Sequence, residues 1–244
     1  MCTVTYYPLS NKEFILTSNR DEQITRLSAL APQLKVIEGN EVLLPVDQQA
    51  NGTWIFSALN GVTVCLLNGA FEKHLSKPPY KKSRGLVVLD VLKFDTIDDF
   101  TQNIELEGIE PFTMVMIENK EEIKLKEFIW DGNEKYEALL DAGVPYIWSS
   151  ATLYDVKSKS ARTALFNKWT ESVVDDQAQD LLKTFHLLGR KLKNNIPVYL
   201  NRNLIKTVSV TQILNSKKSI KMEYLDIIKE KSSMIELEKS ISQK

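Results

Sequence analysis

A chain of 244 residues, 43% hydrophobic and 26% charged, can bury a substantial core as one large domain or two small ones. Its formal net charge of −1 offers no general attraction to nucleic acid or to an anionic membrane. With nine glycines and neither a G-x-G-x-x-G nor a P-loop, a phosphate-cradling loop is not expected.

The first predicted element is a hairpin. Cys2 to Tyr7 and Phe14 to Ser18 alternate and are rich in β-branched and aromatic residues, and Pro8 to Glu13 forms a polar connection of hairpin length. Pairing Tyr7 with Phe14 places Cys2 opposite Asn19, with Arg20 and Asp21 leaving the strand end on opposite faces. If Met1 is removed, Cys2 carries both a thiol and an α-amine, whose ordinary pKa of about 7.7–8.0 suits an internal general base. Arg20 favours a thiolate and can clamp a carboxylate, and Asp21 can orient the amine. The plainer reading is a small buried cysteine on an edge strand beside an ordinary ion pair.

Gln23 to Pro32 reads as a surface excursion, followed by strands at 34–37 and 42–46 around the turn 38–41. Thr53 to Leu59 and Val62 to Leu67 flank Asn60-Gly61, a two-residue hairpin turn in which both positions accept positive φ. That register sets Asn68 opposite Thr53, where its amide can donate to a developing oxyanion or simply form a turn before Gly69. Trp54 reads as a core or pocket-wall aromatic, and Cys65, in an apolar strand, as packing.

Phe71 to Arg84 is a basic loop around Pro78-Pro79, either a lid or a solvated excursion. Leu86 to Leu92 is apolar without choosing between strand and helix, and a short helix is expected over Ile97 to Asn103. Strands follow at 112–117, 123–130 and 135–140, and Pro145 to Ser150 turns abruptly from apolar to polar. Helices are expected from Val156 to Trp169, capped by Asp155 and facing inward through Ala161, Leu165 and Trp169, and from Asp176 to Leu188. Strands at 207–214 and 220–228 close the fold. Residues 229–244 read as a charged, frayed tail in which 234–237 can add an edge strand. No linker or repeat divides the chain, so a single domain over 1–244 is expected.

Several of these stretches resemble one family. Met-Cys-Thr at the start and Ser18-Asn19-Arg20-Asp21-Glu22 resemble the family named for its Asn-Arg-Asp-Glu motif, the transport and Golgi organisation protein 2 family. More distantly they resemble the bile-salt hydrolase and penicillin V acylase group of N-terminal nucleophile hydrolases. Asn51-Gly52-Thr53-Trp54, Leu67-Asn68, Ser83-Arg84-Gly85-Leu86, which favours a helix there, and Leu153-Tyr154-Asp155 extend the resemblance. Two departures stand out. Ser150 sits where the family has Asn, with a shorter reach and no amide donors. The family's Tyr-Gly-Thr-Arg-Ser-Ser-Thr is blurred here over 199–206, leaving Arg202 or Lys206 as replacements.

The resemblance implies an α+β fold, a four-layer αββα sandwich of the N-terminal nucleophile hydrolase type. It implies Cys2, Arg20, Asp21 and Asn68 as catalytic residues, and Asn19, Trp54 and Ser150 as substrate contacts. The expected activity is amide hydrolysis on a small, partly apolar acyl compound. The competing expectation is a carrier or trafficking protein whose cleft holds haem or a lipid. With His74 and His186 as the sole histidines, no metal site and no cofactor are expected. No apolar run reaches transmembrane length and no secretory signal opens the chain, so the expected location is cytoplasmic, with oligomeric state open.

Overall fold

The computed structural model describes residues 3–9, 12–189 and 198–239. In chain order the first strands are β1 (Thr3–Pro8), β2 (Phe14–Gln23), β3 (Leu30–Ile37), β4 (Asn40–Val46), β5 (Ile55–Ala58) and β6 (Val62–Asn68). Helices α1 (Arg84–Asp90) and α2 (Ile97–Asn103) precede β7 (Phe112–Asn119), β8 (Ile123–Trp130), β9 (Lys135–Leu140) and β10 (Tyr146–Ser149). Helices α3 (Val156–Thr170) and α4 (Asp175–His186) then lead to β11 (Ile205–Asn215), β12 (Ser219–Asp226) and β13 (Lys231–Glu238). The edge strand foreseen near 234–237 is therefore real and twice as long, while residues 240–244 lie outside the described set.

The chain divides into two compact units. One holds residues 27–142 and 150–153 around a seven-stranded antiparallel sheet, ordered β3-β4-β5-β6-β7-β8-β9, in which every strand pairs with its sequence neighbour. Side chains alternate along each strand, so Val42, Leu44, Phe56, Val64, Leu66, Phe112, Met114, Met116 and Phe128 share a face. Val87 and Val88 of α1, Val91 in the 3-10 turn that follows it, and Ile97 and Phe100 of α2 pack on that face. The apolar run after Gly85 is thus helical because it covers this stripe, despite its valines. Residues of the opposite face, Ile55, Cys65 and Val115, are also buried, which explains the near-continuous apolar run of β6. Cys65 is a buried thiol within that strand. Pro32 is tolerated because β3 is a sheet edge.

The second unit holds residues 1–26, 143–149 and 154–244 around a six-stranded antiparallel sheet, ordered β10-β1-β2-β11-β12-β13. Phe166 of α3 and Ala178, Leu182 and Phe185 of α4 gather with Ile15 and Val198 into its helix-side core. Phe166 and Phe185 meet edge to face with ring centroids 5.3 Å apart. Asp155 caps α3 as expected, accepting from the Ser158 amide at 2.8 Å. The fully buried line of α3 is Arg162 and Phe166, while Ala161, Leu165 and Trp169 flank it half-buried.

Three expectations are corrected. In the first hairpin Pro8 pairs with Phe14 and Thr3 with Asn19, so the register is one residue off the expected one. Leu9 N donates to Glu13 O at 2.8 Å, which continues the same register one pair beyond Pro8 and Phe14. In the second hairpin Ile55 pairs with Cys65 and Ser57 with Thr63, and Leu66 N reaches Trp54 O at 2.8 Å. Three residues turn there rather than two, because only Gly61 takes positive φ (+91°) and Gly61 N closes on Ala58 O at 3.1 Å. Asn68 therefore does not lie opposite Thr53. Finally, β2 runs on to Gln23, so Arg20 and Asp21 lie inside a strand rather than beyond its end, because β11 pairs with it along that whole length.

Candidate functional site

The motif Ser18-Asn19-Arg20-Asp21-Glu22 occupies a strand with partners on both sides, so alternation decides what each residue can touch. Asn19 and Asp21 share a face and Arg20 takes the other. Asn19 is fully buried, and its Nδ2 donates to two carbonyls, His186 O and Val198 O, each at 3.1 Å. With both amide hydrogens placed, Oδ1 must accept, so His186 Nδ1, 2.7 Å away, is the protonated ring nitrogen. His186 Nε2 then accepts from the Thr5 hydroxyl at 2.8 Å. Burial, with the nearby Arg162 charge, lowers the His186 pKa from 6.5 to about 3 and keeps it neutral. Asn19 thus spends its donors on holding β2 to the two ends of one stretch of chain. Both hydrogens of its side-chain amide are taken up within the protein.

Asp21 is 3% exposed and held from two sides. Thr207 Oγ1 donates to its Oδ1, and Tyr154 OH donates to its Oδ2 at 3.2 Å. The same Thr207 oxygen accepts from Leu200 N at 2.8 Å. The Arg162 guanidinium carbon lies 3.6 Å from the Tyr154 ring centre, and Arg162 Nη1 donates to Thr3 Oγ1 at 2.6 Å. A continuous line of contacts therefore joins the start of β1 to the carboxylate of β2.

On the other face Arg20 is 2% exposed and pairs in register with Ser209 of β11. The register of β11 shifts between Thr207 and Ser209, with Val208 as the extra residue. That bulge sets hydroxyl residues opposite Asp21 and Arg20 on their two different faces, which unbroken alternation could not do. Burial pushes the Tyr224 phenol upward; Ser209 and the Arg20 charge work the other way. Cys2 lies outside the described residues; it is the residue bonded to Thr3.

Asn68 closes β6 in the other unit, half-buried and paired with Phe112. Its backbone carbonyl accepts from Ser150 Oγ at 2.6 Å, and that hydroxyl also meets Thr152 Oγ1 at 2.9 Å. Gly69 follows at φ +82°, where a Cβ would stand 2.9 Å from Thr152 Cγ2, and its carbonyl accepts from Thr113 Oγ1 at 3.0 Å. Ser150 is 1% exposed and fixes the strand end that presents Asn68. Trp54 is buried just ahead of β5. The glycines of the Asn51-Gly52 and Arg84-Gly85 stretches touch: a Cβ on Gly52 would sit 2.5 Å from Gly85 C. Arg84 binds Glu110 Oε2 and Pro111 O, each at 3.0 Å, and Glu110 also meets His74 at 3.1 Å. The two glycines and Arg84 thus hold one loop stretch against another.

Sequence reasoning missed Thr3, Arg162, His186 and Thr207 and gave Tyr154 no role. One signal was available for Arg162, which stands four residues before Phe166 on the inward face of a helix. Among the described residues, no cluster of three or more His, Cys, Asp or Glu could hold a metal ion. None of their helices is long and apolar enough to cross a membrane.

The sequence matches the family described as "Transport and Golgi organisation 2" over residues 1–234. No curated protein matches it significantly. Among solved structures it is similar to a Caenorhabditis elegans N-acylethanolamine-hydrolyzing acid amidase ortholog, with TM-score 0.59 and 14% identity over 87% of this chain and 92% of that one. It is also similar to a variant of the conjugated bile acid hydrolase from Clostridium perfringens, with TM-score 0.54 and 11% identity over 100% of this chain and 99% of that one. At such identities the likeness concerns the fold, which is α+β of the N-terminal nucleophile hydrolase type.

Proposed function

The chain belongs to the Transport and Golgi organisation 2 family, and from that premise we propose that it is a cysteine-dependent amidohydrolase acting on a small, partly apolar acyl amide. The observation that carries the proposal is the arrangement at one end of the six-stranded sheet. Thr3, the residue after Cys2, is held by Arg162, and the same contact line ends on the Asp21 carboxylate.

After removal of Met1, the Cys2 amine takes the thiol proton and the sulfur attacks the substrate carbonyl carbon. The tetrahedral oxyanion is stabilised by N–H donors, for which the family resemblance nominates Asn68. Collapse breaks the C–N bond, and the proton held on the amine passes to the leaving nitrogen. A thioester remains; water hydrolyses it, returning the proton to sulfur and releasing the acid. Asp21, nearly sealed from solvent, orients the amine rather than exchanging protons with water. Arg20, always charged, favours the thiolate from the opposite face. Asn19 has a structural part in this scheme. Structural neighbours that are an N-acylethanolamine-hydrolyzing acid amidase ortholog and a conjugated bile acid hydrolase make an amphipathic acyl compound the class to test first.

The test is an intact mass together with acyl trapping. The expected result is a chain lacking Met1 that accumulates a thioester from activated acyl esters, a signal abolished by Cys2→Ala. Retained Met1 with no Cys2-dependent adduct, alongside saturable binding of haem or lipid, would replace the enzyme with a carrier.

A further inference from the structure

We propose that Arg162 is a positioning residue, which with Tyr154 sets the spacing between the start of β1 and the Asp21 carboxylate. The inference rests on the amidohydrolase reading and names a part of the site that the resemblance does not supply. Arg162 is 1% exposed, on the inward face of α3 where a helix normally places an apolar residue. Burying a guanidinium is unfavourable unless its charge is met. Here it is met by the Tyr154 ring face at 3.6 Å and the Thr3 hydroxyl at 2.6 Å.

Those two contacts lead to opposite ends of the proposed machinery. Thr3 adjoins the nucleophile in sequence, and Tyr154 OH donates to Asp21. Helix α3 starts at the residue after its Asp155 cap, which directly follows Tyr154, so the pair joins this helix to the residue just ahead of its cap. A methionine or leucine at 162 would fill the same volume more cheaply. An arginine supplies a fixed cation that ties the strand start to the tyrosine. The guanidinium acts through Thr3 and Tyr154 and needs no contact with substrate.

The experiment compares Arg162→Ala, Arg162→Met and Tyr154→Phe with the intact chain, reading the Cys2-dependent acylation burst and backbone hydrogen exchange. Arg162→Ala should slow the burst about 30-fold, the scale expected when reacting groups are displaced by a fraction of an ångström to an ångström. Millimolar methylguanidinium should restore part of it, which a general loss of folding would not allow. Exchange should rise at residues 3–7 and 19–22 and stay unchanged across the β12–β13 pairing. Tyr154→Phe should slow the burst less, and combined with Arg162→Met should be no worse than Arg162→Met alone. An unchanged burst in Arg162→Ala, or exchange lost equally throughout the sheet, overturns the inference. Should the intact chain show no Cys2-dependent burst, the amidohydrolase reading fails, and the exchange pattern alone decides whether Arg162 positions the two strands.

Discussion

Asn19 shows how much of a motif residue's bonding capacity the scaffold itself takes up. Its three bonds satisfy two carbonyls and one imidazole N–H, all buried. Asn19→Ala should lower stability by about 3 kcal/mol or more, because these groups lose their partner inside the protein; denaturant unfolding measures it. His186 gives a pH signature. Its folded pKa, about 3, lies below the ordinary 6.5, so the unfolded chain binds the extra proton between these values. The neutral histidine's stabilisation is complete above pH 6.5 and is lost as pH falls toward 3. His186→Asn should flatten that acid limb in unfolding curves taken across the window. The five letters at 18–22 were visible in the sequence, yet their division of labour was not. Tyr154, His186, Val198 and Thr207, partners of the Asn19 and Asp21 side chains, stand 133 to 186 positions away, and no local periodicity reports that.

Among the elements, most strands were legible from alternation, though not β10, and so were the two long helices and the cap at Asp155. The registers were not. Asn60-Gly61 suits either a two-residue or a three-residue loop, and the choice depends on whether Asn60 must take positive φ; it does not. A slip of one residue reverses every face, so the sequence alone put Asn68 beside the wrong neighbour. The Val208 bulge was equally hidden, since an extra residue in a β-branched run leaves the pattern looking regular. Deleting Val208 should turn either Thr207 or Ser209 to the wrong face and abolish the acylation burst while the β11–β12 pairing remains protected from exchange. Gly52→Ala should be far more damaging than a typical loop substitution. A Cβ 2.5 Å from the Gly85 backbone has no flexible side chain to displace, and a loss of about 3 kcal/mol in unfolding free energy is expected.

At the scale of the molecule, the fold class could be read from order and resemblance together. Strands, two short helices, strands, two long helices and strands is an α+β succession, and the N-terminal motif narrowed it further. The buried charge of Arg162 escaped because a lone arginine between Lys157, Lys159 and Lys168 looks like one more solvated cation until the helix is docked. Cys2→Ala should leave unfolding midpoints nearly unchanged while removing covalent labelling, which separates chemistry from architecture. One consequence reaches beyond the site. Because a single amide grips the carbonyls of His186 and Val198 together, β2 is the common anchor for the last residue of α4 and for residue 198. An Asn19→Ala chain should therefore lose amide-exchange protection at residues 184–187 and 198–200 together, while the β12–β13 pairing keeps its own.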